Sequence, residues 1–559
     1  MASATTVDSS AGSPTLAPTV SGQSQPHSDE LLKSGRLADD ADVEKSTNVA
    51  DDEKPRGTGL DDEDDPTSAP VRLRTHESGF DGTGTPEDPF RVAFRPTDRD
   101  NPMAFKPLKR WAIVIVTAMS TLAISFASSA VTGALPGIIG HFGCSQEVAT
   151  LTIALFVLGF SVGPLLWAPL SEMYGRRFSF AISYAPFVLF TLGSGFSKNI
   201  ETLIVLRFLA GAFGSSPLTN SGGVISDMFP ARERGRAMIL PVLGPVCGNF
   251  LGHALGWRAV LFMIAIFGGV MFVLQMVLVP ETFAPVLLRR KTRELSKRTG
   301  RSYIAATDWK KPVKTVKERF KTSLTVPFKL LFREPIVILI SLYMALIYGV
   351  LYLMFAAVPI TFQQYRGWSP GIAGLAFIPI GIGMLIGASI ALAFDARYAR
   401  ICDANDGLAP PEARLPMGAL GAWCLPVGLF IFAWTGNHGF WLGPIIGSAP
   451  FGTGMMLLFL SLMNYIVDAY TMNAASALAA SAVIRSIFGS VFPLFTRQMY
   501  AKLGLNGAGS LIAGLALLFA PIPLLFIRYG PRIRQLSRYA PEDMWAKRQR
   551  EQAEKSATA

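Results

Sequence analysis

Histidine and cysteine are scarce in this chain, five and four respectively in 559 residues. Cys144, Cys247, Cys402 and Cys424 lie far apart with no paired spacing, which argues against both a disulfide framework and a cysteine metal site. No His-Glu-x-x-His pattern occurs, so zinc hydrolase chemistry has no ligand set and metal sites are expected to be none. No Gly-x-x-x-x-Gly-Lys loop is present to cradle nucleotide phosphates, which excludes direct drive by ATP. Near Met1 there is no apolar core ahead of a small-residue cleavage site, so the expectation is that no secretory signal peptide exists and the first span directs insertion. Charge is sparse as well, at 16% of residues.

What the chain does have is about twelve long apolar runs between Trp111 and Ile527, almost none carrying a charge. A run of about 20 apolar residues matches the hydrocarbon thickness of a bilayer. The runs place spans near 111–133, 148–170, 179–197, 201–225, 237–256, 258–279, 336–360, 371–394, 417–435, 441–466, 471–496 and 507–527. Glycines and prolines inside them, among them Gly159, Pro164, Pro241, Pro379 and Pro493, are tolerated in membrane helices. The reading is an all-α membrane protein and not an enzyme.

Basic residues flank the spans unevenly. Lys106, Lys109, Arg110, Arg176, Arg177, Arg232, Arg234, Arg236 and the 289–333 stretch fall on one side, whereas the first loop of the other side, 134–147, has no Lys or Arg. Cytoplasmic loops carry the Lys/Arg excess, so both termini are expected in the cytoplasm, which demands an even number of spans. The net charge of +11 is thereby accounted for by topology and anionic-lipid contact, without nucleic acid. The expected organisation is a disordered N-terminal tail over 1–105, rich in Ser, Asp and Gly; a six-helix half over 106–280; a basic central loop over 281–335; a second six-helix half over 336–528; and a tail over 529–559.

A weak internal repeat supports two halves. Gly211, Asp227 and Gly248 recur as Gly452, Asp468 and Gly489, each 241 positions on (452−211, 468−227, 489−248). Ala168–Glu172 likewise matches Ala391–Asp395 in spacing. Twelve transmembrane helices in two pseudo-symmetric six-helix halves related about the membrane normal form a recognised transporter architecture.

The strongest local pattern runs from Gly163 to Arg177: an apolar span stops, Glu172 follows, then Gly175 and the pair Arg176, Arg177. Glu172 can sit at the positive end of a facing helix. Arg176 or Arg177 can pair with Asp227 in a latch holding the halves in one state. The alternative is an ordinary basic turn. This segment resembles the loop between the second and third spans of the major facilitator superfamily. That pattern expects Gly, Asp and Arg where this chain has Ala168, Glu172 and Met173, while Gly175, Arg176 and Arg177 match. Leu203 to Arg207, leading to Gly211, resembles the superfamily's fourth-span motif. Gly244, Pro245, Gly248 and Gly252 resemble its fifth-span antiporter motif, with glycines on one face that permit close helix approach. Pro280-Glu281-Thr282, Ser341 through Tyr352, Asp468 to Tyr470 and Arg485 through Phe495 complete a resemblance to the fungal twelve-span drug:proton antiporter branch over roughly 86–530. The resemblance implies export of a small organic molecule (drug, secondary metabolite, organic acid or glycolipid) by alternating access. It further implies a proton gradient in place of any cofactor, a monomer in the lipid bilayer, and the plasma membrane, with the vacuolar membrane as alternative. The alternative functions are a proton-independent facilitator or importer of a small metabolite on the same scaffold, and a membrane sensor that does not transport.

Ionisable groups at membrane depth are costly and usually face a cavity or a partner. Arg207 and Arg485 are the two such cations, each open to a cavity role or to satisfaction by backbone carbonyls. No Asp or Glu falls mid-span; His253 could titrate near neutral pH or simply pack. Tyr343, Tyr348, Tyr352 and Phe355 in the seventh span, Ser125 and Ser129 in the first, and Asn464 are the remaining cavity candidates, with Gln275 a lesser one. Tyr348, Tyr352 and Phe355 are spaced to share one helix face.

Overall fold

The structure, a computed structural model, describes residues 80–94, 98, 100–228, 256–309, 315–404, 409–437, 440–470, 473–535 and 537. The first half contains α1 Pro107–Ser129, α2 Leu135–Phe142, α3 Gln146–Gly159, α4 Val162–Tyr174, α5 Arg176–Gly195, α6 Ile200–Met228 and α7 Trp257–Leu278. Two helices, α8 Ala284–Thr299 and α9 Val316–Arg333, follow. The second half contains α10 Pro335–Pro359, α11 Pro370–Leu375, α12 Ile378–Ala404, α13 Leu415–Gly436, α14 Leu442–Ala469, α15 Ala474–Phe519 and α16 Ile522–Gln535. Proline sets the start of α1, α10 and α11, where its missing N–H would have no partner in any case.

Among the described residues ten helical stretches are long and apolar enough to cross a membrane. The last of them, Ala474–Gln535, has 62 residues. At about 1.5 Å per residue it would run to roughly three bilayer thicknesses. It is two crossings, broken where Gly504 leaves helical geometry at φ 70°, ψ 176°. The expected fifth span, with Gly244, Pro245, Gly248, Gly252 and His253, lies outside the described residues. α7 shows how a span meets lipid: Ile266, Val270, Val273 and Val277 form one exposed apolar stripe, while Val260, Ile264 and Gln275 face inward. α10 is enclosed on nearly all sides.

The repeat is visible as geometry. α6 crosses α3 at Gly211, where a Cβ would overlap the Phe156 carbonyl oxygen. α14 crosses α12 at Gly452, where a Cβ would overlap the Ile380 carbonyl oxygen. Gly159 and Gly383, on the facing helices, are equally tight against the backbone. Only glycine lets two helix backbones approach this closely.

Two expectations are corrected. The tail expected to be disordered to residue 105 contributes β1, Phe90–Val92, which pairs in parallel with β2, Tyr303–Ala305, in the register Phe90↔Tyr303 and Val92↔Ala305. The cause is apolar burial: Val92 packs with Leu288 and Ala305, and Phe80, Phe94, Leu295 and Tyr303 close around them. Ion pairs of Lys291 with Asp98 at 2.8 Å and Arg289 with Asp308 at 2.6 Å border this small core. The central stretch 281–335, expected as a loop, holds α8, β2 and α9; Thr315 and Glu318 cap α9 reciprocally.

Candidate functional site

A cavity of about 650 Å³ lies between the halves. α1 contributes Ser125, Ser128 and Ser129, α6 contributes Asn220, and α10 contributes Tyr348, Tyr352 and Phe355. α12 and α14 add Met384, Met455, Phe459, Met463 and Asn464, and α15 adds Arg485 and Ser486. Toward the end of the bundle that carries α8 and α9, the lining ends in Glu172, Arg176, Arg414 and Asp468. Toward the opposite end the halves close on each other, with α3 packed on α15 and Gly489 held against Val157 and Tyr348.

The aromatic face of α10 forms as its spacing requires. Tyr348 and Tyr352 ring centroids are 5.0 Å apart, and Tyr352 and Phe355 5.3 Å. Tyr352 reaches across to the first half and donates to the Ser128 hydroxyl at 2.9 Å. Ser128 in turn donates to the Ser125 carbonyl at 2.7 Å. The hydroxyl of Ser129 also bonds back to Ser125, at 3.1 Å, so α1 satisfies its own serines while presenting them to the cavity. Tyr343 differs from expectation: it is fully buried against Phe519, off the cavity, because it falls on the opposite side of α10 from Tyr348. Gln275 is also buried away from the cavity, accepting from Ser120 at 3.3 Å.

The two intramembrane arginines have opposite surroundings. Arg485 borders the cavity, its guanidinium 5.2 Å from the ring centroids of both Tyr348 and Phe459, and its Nε has no hydrogen-bond partner among the described residues. Arg207 is wholly buried and does not line the cavity. It donates to the Ala127 carbonyl at 2.8 Å and the Thr152 carbonyl at 3.2 Å, and lies 4.0 Å over the Phe156 ring. Arg207 therefore ties α1 and α3 to α6 through carbonyls, with Nη1 left without a hydrogen-bond partner among the described residues.

At the charged end each half has its own cluster. In the first, Arg176 Nε donates to Asp227 at 3.2 Å and its Nη1 to Ser171 at 2.8 Å, while Thr282 donates to Asp227 at 3.3 Å. The Arg176 guanidinium fills the space where a Cβ on Gly223 would sit. Burial raises the Asp227 carboxyl above its ordinary value against the opposing pull of Arg176. Arg177 is exposed and donates to the Met276 carbonyl at 2.8 Å. The arrangement corrects one expectation. Arg176 and Asp227 join α5 to α6 within one half, not one half to the other. The carboxylate at the N-terminus of α5 is Glu281, which accepts from the Arg176 and Arg177 N–H groups at 2.9 and 3.1 Å, while Glu172 lines the cavity mouth. Gly175, at φ 102°, makes the break between α4 and α5, and a Cβ there would strike the Glu281 carboxylate.

In the second half Arg414 plays the part of Arg176. It donates to Asp468 and to Asp395, both at 3.0 Å, and stacks 3.4 Å over the Tyr398 ring, whose hydroxyl bonds Asp468 at 3.1 Å. Asp468 stands 241 residues after Asp227 and occupies the corresponding place. Arg414, Glu281 and Asn220 escaped sequence reasoning. Asn220 donates to Ser179 and Ser216, at 3.2 and 3.1 Å. Its signal was present in the polar series Ser216, Asn220, Gly223, Asp227, a single stripe at helical spacing on α6. Arg414 is the last cation before an apolar run, and Glu281 sits between Pro280 and Thr282 just after one.

Comparison with known proteins places this geometry. Residues 117–493 match the family model of the Major Facilitator Superfamily. The chain is 50% identical over 472 residues to the MFS-type efflux pump MFS2 of Trichophyton rubrum, covering 83% of this chain and 79% of that one. It is 48% identical over 470 residues to the major facilitator superfamily multidrug transporter mdrA of Aspergillus fumigatus, covering 82% and 77%. Among solved structures, the partially occluded inward-open xylose transporter XylE from E. coli superimposes with a TM-score of 0.52 at 18% identity, covering 76% of this chain and 98% of that one; that likeness is one of fold. With two pseudo-symmetric helical halves around a shared cavity, the chain belongs to the major facilitator superfamily of membrane transporters.

Proposed function

We propose that this protein exports small organic molecules by proton antiport through alternating access. The observation that carries the reading is the cavity itself. It lies between the halves, it is within the size range of small-molecule sites, and it is mostly apolar with a few convergent polar groups. It ends in charged residues on one side and in packed helices on the other. The relatives named for efflux and multidrug transport support the outward direction.

In this reading the charged end is cytoplasmic, both termini lie there, and the described state faces inward in the plasma membrane, as a monomer. Tyr348, Tyr352, Phe355, Asn464 and Arg485 contact the cargo, Ser125 and Ser129 line its path, and Tyr343 supports the aromatic face from behind. Arg207 is a positioning residue: through the Ala127 carbonyl it holds α1 where Ser128 meets Tyr352. Glu172, Gly175, Arg176, Arg177, Asp227 and Asp468 form the inner gate, with Arg414 and Glu281 added to it. Glu172 and Asp468 are the carboxylates that border the cavity and can exchange a proton with the cytoplasm. Gly244, Pro245, Gly248 and Gly252 permit the change in packing.

The test is efflux of a preloaded dye, such as rhodamine 6G, from cells expressing the protein. A protonophore applied at constant ATP should abolish efflux. Efflux that persists without a proton gradient would assign the scaffold to a facilitator.

A further inference from the structure

Helix α9 packs against α4 of the first half and against α10 and α15 of the second, burying Pro327, Leu330 and Leu331. Its remaining surface is divided. Leu324, Phe328 and Phe332 are 46%, 40% and 77% exposed. At about 100° per residue they lie within about 80° of one another, a continuous apolar stripe beside the protein contact. Thr325, Lys329 and Arg333 follow within about 100° on the side away from the protein, all exposed. Lys321 continues the stripe toward the N-terminal end, where its long stem lets the ammonium reach outward. No carboxylate pairs with Lys321, Lys329 or Arg333 among the described residues.

The level of this helix is set by its neighbours. Only Glu334 separates α9 from α10, which enters the apolar layer at once. Trp111, Tyr174 and Tyr529, exposed near the same ends of their spans, mark the aromatic belt of an interface. A helix with one side on protein, one side apolar and one side cationic, placed at that depth, fits the boundary between acyl chains and head groups.

We infer that α9 is an in-plane anchor that binds the anionic phospholipids of the cytoplasmic leaflet. Leu324, Phe328 and Phe332 enter the acyl layer, and Lys321, Lys329 and Arg333 hold the phosphate and carboxylate groups above it. The orientation rests on the reading given above, but the lipid contact does not depend on export or on protons. Because α9 touches both halves, lipid bound there bears on their relative movement.

The full chain, with its four cysteines replaced by serine, can be reconstituted in phosphatidylcholine vesicles with and without phosphatidylserine. Nitroxide labels at Leu324→Cys, Phe328→Cys and Phe332→Cys should collide more with oxygen than with an aqueous nickel chelate, and a label at Thr322→Cys should do the reverse. Each label stands alone, so loss of one variant to misfolding leaves the others informative. Boundary selectivity for spin-labelled phosphatidylserine over phosphatidylcholine should fall about fivefold or more in the Lys321→Gln, Lys329→Gln, Arg333→Gln triple variant. Nickel access along the stripe would overturn the inference. So would exclusion of both reagents, as when the acidic N-terminal segment or another protein covers the helix, or unchanged selectivity in the triple variant.

Discussion

The two halves repeat their helix crossings and their charged clusters, yet they treat buried cations differently. Arg207 in the first half is wholly buried and spends Nε and Nη2 on carbonyls, with Nη1 unpartnered among the described residues, whereas Arg485 in the second borders the cavity, its Nε unpartnered among the described residues. At the charged end, Arg176 serves one carboxylate and lies over the Phe283 ring, with Glu281 spent on helix N–H groups, whereas Arg414 serves two carboxylates and lies closer over the Tyr398 ring. In the proposed reading the buried cation of the first half serves the frame and that of the second meets the cargo. A shared fold does not oblige paired positions to share a task.

This asymmetry can be broken in order of expected effect. The crossings should respond alike: Gly211→Leu and Gly452→Leu each force a side chain onto a backbone carbonyl and should cost about 3 kcal/mol or more. Both variants should be lost as monodisperse protein on size exclusion; tolerance of one alone would show that the halves do not pack equivalently. The arginines should separate. Arg207→Leu removes two charge-assisted bonds and should lower stability by about 3 kcal/mol. Arg485→Leu should leave the melting temperature near that of the parent while efflux falls about tenfold or more, read on the same preparations. If both lose stability equally, the contrast between frame and chemistry is wrong.

The clusters should differ by less. Arg414→Gln removes a cation shared by two carboxylates and should cost about 2 kcal/mol, against about 1 kcal/mol for Arg176→Gln, measured by thermal unfolding in one detergent. The smallest effect concerns pH. Because burial raises the Asp227 carboxyl, its contribution to stability is full below its ordinary 3.8 and is lost as pH rises through the raised value. Asp227→Asn should remove that fall in stability with rising pH; a parent whose stability instead rises with pH over that range, with the rise lost in Asp227→Asn, would mean that pairing with Arg176, not burial, governs the group.

How much of this was legible follows the range of the signal. Spans were legible because each is a local run, and Tyr348, Tyr352 and Phe355 because one helix places them. The repeat of Gly211 and Asp227 at Gly452 and Asp468 was legible as spacing, and the structure shows its reason in two backbone contacts. Arg414 was not, since Asp395, Arg414 and Asp468 meet only after two loops and two spans fold. Tyr343 misled because it shares a helix with the cavity aromatics but not a face. The strand at Phe90–Val92 was hidden for another reason: three residues in a polar stretch acquire meaning only beside Tyr303–Ala305, which lie beyond six spans.

That small parallel pair has a consequence for how the chain is made. Both of its strands precede Pro335, so everything needed to close it is synthesised ahead of the second half. Once closed, it clasps the beginning and the end of the first bundle together like the ends of a bracelet. The first half thus carries a fastening of its own that borrows no residue from the second.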